Sequence, residues 1–239
     1  MSQQAADSRL PQLGSPSLGS DGATPAPAGP YGLAHAVRAV AVAWCLLLVV
    51  DCVAVFQAAG VWRAAAANGL GWWQVEGTPY DSIGYFYLPV QVVAFLIGSQ
   101  WLYRSRRVAD ALSPSFRHTH RPSRVWLAWA FPVLNLWFPY QVVRDIRRAT
   151  IGMATTAAPV RRWWLLWLVW LAVDAAAYVV LNAVAPAVGP DATLVAAVQW
   201  FAVGSTVLGI ACGALWLWLV DEITSAQRAG LATTSGEVS

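Results

Sequence analysis

The chain of 239 residues contains no lysine, and that absence removes several chemistries at once. A Schiff-base amine, a lysine cradling a nucleotide phosphate and a catalytic ammonium are all excluded. Cysteine is scarce too. Cys45, Cys52 and Cys212 each fall inside an apolar run, where a thiol behaves as a small hydrophobe. Cys45 and Cys52 share one helical stretch about 10 Å apart in rise, beyond the Cα separation a disulfide tolerates. No HExxH, GxSxG or glycine-rich phosphate loop occurs. His118 and His120 have no cysteine or further histidine near enough in sequence to complete a metal shell, so they read as solvated loop residues. The expectation is a protein without catalytic residues, cofactor or metal.

Charge is the other scarcity. Only 11% of residues are charged, 58% are apolar, and the mean hydropathy is +0.51, which describes a chain solvated mostly by lipid. The few charges are unevenly placed. Of 15 arginines, 11 lie between Arg104 and Arg162, in two loops flanked by uncharged runs. Cytoplasmic loops retain Arg and translocated loops shed it, so both basic loops are expected in the cytoplasm of a multi-pass cell-membrane protein. The formal charge of +3 and pI near 9.0 then point to anionic lipid head groups and not to nucleic acid.

Four runs exceed the roughly 20 helical residues needed to cross a hydrocarbon core. They are 36–62, 82–103, 163–188 and 192–220, with tryptophan and tyrosine near their ends as in an interfacial belt. The loops at 63–81 and 189–191 carry Arg63 against Glu76, Asp81 and Asp191, and are the extracytoplasmic ones. A fifth run, 125–143, is interrupted by Pro132 and Pro139 and flanked by arginine on both sides. A crossing there would put one basic loop outside. It reads instead as a Pro-broken re-entrant or interfacial segment with Asn135 near its turn, sheltered by the spans. The fold class is all-α: four transmembrane helices plus that segment, in a helical membrane domain over 31–224. Residues 1–30, rich in Ser, Gly, Pro and Gln, read as a disordered cytoplasmic tail, and 225–239 as a flexible one.

Tyr103-Arg104-Ser105-Arg106-Arg107, Trp126 and the run Phe131-Pro132-Val133-Leu134-Asn135-Leu136-Trp137-Phe138-Pro139, continuing through Asp145 to Arg148, carry a local signature. It resembles that of a bacterial membrane family called domain of unknown function 4328. The resemblance spans about residues 35–225 and is strongest between 100 and 150. It implies a helical multi-pass fold and names no substrate.

Candidate functional residues follow from cost. Asp51 and Asp174 lie near the middle of the first and third runs, at similar depth. An ionisable group there costs about 2.5–3.5 kcal/mol on insertion scales, and such groups face a bundle interior or mark an ion pathway. The plainer role is hydrogen-bonded glue between helices. Trp163, Trp167, Trp170, Asp174 and Tyr178 recur at helical spacing on one stripe, a pattern that serves ordinary packing or the wall of an organic-cation pocket. Ser205, Gly209 and Gly213 form a small-residue seam, for intramolecular packing first and a homo-oligomer as the alternative. Pro132, Asn135, Trp137, Pro139 and Asp145 are singled out as structural or functional, and Arg104, Arg106, Arg107, Arg144, Arg147 and Arg148 as contacts to lipid or a protein partner. The leading expectation is a non-enzymatic accessory or scaffold protein; the alternative is a small transporter or channel using Asp51 and Asp174.

Overall fold

The computed structural model describes residues 29–71, 74–122, 126, 136–184 and 191–236. Among these there is no strand. The elements are α1 (Tyr31–Ala67), α2 (Pro79–Leu112), α3 (Phe138–Ile151), α4 (Ala158–Val179), which runs on into a π turn (Val180–Val184), and α5 (Ala192–Gly236). Four of them, α1, α2, α4 with its π turn, and α5, are long and apolar enough to cross a membrane.

Local sequence sets the helix ends. α1 stops where Gly69 enters the left-handed region at φ +73°; its N–H bonds Ala66 O and that of Leu70 bonds Ala65 O, the paired closure of a Schellman motif. α2 starts with Pro79 in its first turn, and the Asp81 carboxylate accepts from the Thr78 N–H at 2.8 Å and from its hydroxyl at 2.9 Å. Within α2, Pro89 removes a backbone donor and leaves the carbonyl four residues earlier without its helical partner.

α1 packs along α5 and α2, and α4 packs along α5, whereas α2 and α4 make little direct contact. Exposure agrees: 6% of the apolar window is buried in α2 and in α4, against 17% in α1 and 22% in α5. α1 and α5 therefore form the spine, and a cleft opens between α2 and α4. Two buried clusters bracket it. One joins Trp101, Leu102, Val143, Ile146, Val160, Trp163, Leu219 and Ile223; the other joins Val55, Ala58, Ala59, Trp62, Val195 and Val198.

The start of α1, the end of α2, the start of α4 and the end of α5 lie at one end of the bundle, tied by Arg38 to Asp221; Arg63 donates to Gln199 at the other, at 3.2 Å. The first end carries the arginines. There the end of α2, the loop 113–122, α3 and the last turns of α5 form a folded cap.

Several expectations need correction. The helices overrun the apolar runs, because hydropathy counts only the uncharged stretch while packing continues the same helix beyond it. Residues 225–236 are not a tail: they continue α5, where Gln227 is fully buried and donates to Ser105 O at 2.8 Å, and Gly230 packs against Leu112. Pro139 stands in the first turn of α3, where its missing N–H has no cost. From Phe138 onward the segment 125–143 belongs to α3. Its residues 125 and 127–135, with Pro132 and Asn135, lie outside the described residues, as does the expected tail over 1–28 and the stretch 185–190.

Candidate functional site

Between the two buried clusters lies a cavity of about 1220 Å³, walled by all four long helices and open between α2 and α4. Asp51 and Asp174 both stand in its wall, as do Trp163, Trp167, Trp170 and Tyr178. The structure thus brings together the two acids and the whole aromatic stripe read from the third run. Asp51 reaches it from α1 and is hydrogen-bonded by the Tyr87 hydroxyl of α2; the two carboxyls are within electrostatic reach of each other. Asp174, on α4, accepts from Ser205 Oγ of α5 at 3.4 Å, and Ser205 Oγ accepts in turn from Trp170 Nε1 at 3.0 Å. Both acids bridge helices, as glue residues do. Both also face a void, which glue does not require.

Three rings give the wall its shape. Trp44 of α1 meets Tyr87 edge-on at 5.6 Å and 73°, and meets Trp170 at 6.1 Å and 84°. The near-perpendicular planes form a corner with two ring faces turned along different directions. α5 closes the floor through Thr206, whose hydroxyl donates to Leu48 O at 3.1 Å. Trp44 and Tyr87 were missed in the sequence, although Trp44 precedes Asp51 by seven residues and Tyr80 precedes Tyr87 by seven, a spacing that shares one helix face.

Gly209 and Gly213 let α5 approach its own neighbours. A Cβ at Gly209 would lie 3.2 Å from Trp170 Nε1 and inside the Leu48 side chain, and one at Gly213 would lie 2.7 Å from Cys45 Sγ. A homo-oligomer through these glycines would have to displace Cys45 and Leu48.

The arginine cap differs from what its composition suggested. Arg147 is only 6% exposed and does not point to lipid. Its Nε and Nη2 meet Glu222 at 2.6 and 2.7 Å, and its Nη1 donates to Thr156 O at 2.7 Å. Arg106 pairs with Asp110 and donates to His120 O; Arg144 pairs with Asp145 and lies over the Tyr140 ring. Arg106 is held by an acid one turn on in α2 and Arg144 by its neighbour in α3, while Arg147 alone is an ion-pair strut across the cap, to Glu222 of α5. Arg104 and Arg107 are exposed, Arg148 is half-buried, and Trp137 is exposed. Asp145 holds the loop: it accepts from the Thr119 N–H at 2.8 Å. Burial pushes its carboxyl up, but the hydrogen bonds from Thr119 and Arg144 outweigh that and hold it below the usual carboxylate range.

The histidines are not solvated either. His118 is buried against Phe116 with ring centroids 4.6 Å apart, and His120 Nε2 meets Gln141 Oε1 at 2.6 Å. Burial, then the Arg106 charge, pulls the His118 imidazole down to about 4. Asp110 lies 3.1 Å from its Nε2 without hydrogen-bond geometry, and its charge is already shared with Arg106, so the ring stays neutral near pH 7. Among the described residues no group of three His, Cys, Asp or Glu side chains could hold a metal.

The sequence model of a family described as Domain of unknown function (DUF4328) matches residues 73–225, well over half of the chain, which belongs to that family. Tyr87, Trp170, Asp174 and Ser205 lie inside the matched region; Trp44 and Asp51 precede it. No curated protein matches the chain, and no solved structure does.

Proposed function

We propose that this family member is an integral membrane protein of the carrier type, holding a small membrane-partitioned molecule in the cleft between α2 and α4 and performing no bond-making chemistry. The void with Asp51 and Asp174 in its wall carries the reading. A bundle that served only as a scaffold would gain by closing such a gap with side chains, because unfilled space forfeits packing contacts. A carboxyl turned into it would be an added expense inside a membrane. The accessory or scaffold reading keeps one support: Arg104, Arg107, Arg161 and Arg162 are exposed at the basic end, suited to anionic head groups.

With four crossings, both ends of the bundle chain share the arginine-rich face, and the loop charges support a cytoplasmic position for it. Single cysteines placed at exposed Glu76, Ser115 and Met153, after the native thiols are removed, test it in intact cells. An impermeant thiol reagent should label position 76 alone; labelling of 115 or 153 would overturn the topology.

The cleft is tested with Nile red, an uncharged solvatochromic dye, in nanodiscs of zwitterionic lipid. The wild type should take up dye saturably beyond an empty disc, and Ala202→Trp, which fills the cavity wall, should abolish the excess without lowering the melting temperature. Uptake no greater than that of an empty disc would contradict the reading.

A further inference from the structure

We infer that the guest of this cleft is a lipophilic organic cation, of the quaternary ammonium or phosphonium kind; this rests on the carrier reading above and adds the charge and chemistry of the ligand. The charge of the wall favours a cation. Two carboxyls face the cavity, and no arginine or histidine stands among its described lining residues. The nearest basic clusters lie in the cap, where Arg106, Arg144 and Arg147 are already engaged by Asp110, Asp145 and Glu222. Neither acid is in any of the ion pairs of the described residues.

The polar groups next to the acids favour a cation as well. There the N–H and O–H donors are spent on the wall itself: Trp170 Nε1–H on Ser205, the Ser205 hydroxyl on Asp174 and the Tyr87 hydroxyl on Asp51. Beside them the cavity offers a guest carboxyl oxygen and aromatic ring. An anion there meets two carboxyls and no basic side chain among the described lining residues. A cation finds counter-charge beside three electron-rich rings, Trp44 standing edge-to-face with both Tyr87 and Trp170.

The ligand set suits an organic cation better than a metal ion. A hard divalent ion needs about six oxygen ligands at close range. The cavity supplies two carboxyls on different helices, each held by a hydroxyl, in a space of about 1220 Å³ walled mainly by aromatic and aliphatic side chains. A bulky cation with a diffuse charge needs neither tight coordination nor rehydration, and it partitions into the bilayer from which the gap between α2 and α4 is entered.

The experiment uses two ions of nearly the same shape and opposite charge, tetraphenylphosphonium and tetraphenylborate, with the full chain in zwitterionic nanodiscs and empty discs subtracted. Tetraphenylphosphonium should bind saturably and tetraphenylborate should not. Asp51→Asn and Asp174→Asn, which keep a side-chain acceptor for Tyr87 and Ser205, should each weaken the cation by about tenfold while Nile red uptake persists. The wild-type comparison of the two ions requires no variant to fold. Equal binding of the two ions, or cation binding unchanged in both Asn variants, would overturn the inference. So would Nile red uptake without any tetraphenylphosphonium binding, an outcome that leaves the carrier reading standing with an uncharged guest. Failure of all three probes would bring down both.

Discussion

Arg147→Ala should lower the stability of the detergent-solubilised protein by about 3–5 kcal/mol, the cost of breaking a buried ion pair by removing one partner. Arg147 forks onto both Glu222 oxygens and also donates to Thr156 O, so its loss strands a carboxylate and a carbonyl together. The pair joins α3 to α5, and the same joint carries Gln227, which links α5 to Ser105 O of α2 and to Thr150 of α3. Lysine is not an adequate substitute, because a single ammonium cannot reproduce the planar two-point contact. The double change Arg147→Met with Glu222→Leu should recover most of the loss, since an apolar pair of similar volume avoids the desolvation that the ion pair has to overcome. Arg107→Ala, at an exposed position, is the control and should fall within about 0.5 kcal/mol of wild type. Equal melting behaviour of Arg147→Ala and Arg107→Ala would remove the strut from the account.

That strut also marks where sequence reading runs out. The four long helices were legible because lipid solvation demands long uncharged runs, and the loop arginines ordered them. The depth of Asp51 and Asp174 was legible for the same reason: each lies well inside a run that begins at the basic end. Their shared cavity was not, because it depends on α2 and α4 standing apart, a matter of packing that hydropathy does not encode. Arginines close to a membrane have the same local sequence whether they face head groups or fold inward. Arg147 turns in because Glu222 faces it from 75 positions away. His118 is similar: two histidines in a polar, proline-bounded loop look solvated until α3 is seen to cover them. The aromatic stripe on α4 was visible as a period, while the corner it forms with Trp44 and Tyr87 comes from three helices and has no period at all.

The proposed selectivity of the cleft for positive charge, set by its two acids, is tested most directly by reaction rates at a cysteine in its wall. Ala202→Cys, in a background with Cys45, Cys52 and Cys212 replaced by alanine, places a thiol there. Clefts lined by one sign of charge raise the encounter rate of the opposite sign by about 10 to 1,000-fold. The rate with a trimethylammonium-ethyl thiosulfonate should therefore exceed that with the sulfonate-bearing reagent by far more than it does when Asp51→Asn and Asp174→Asn are added. Tetraphenylphosphonium should slow the cationic reagent in the acidic protein and not in the double amide. A rate ratio that survives the loss of both carboxyls, or a thiol inert to both reagents, would contradict the account.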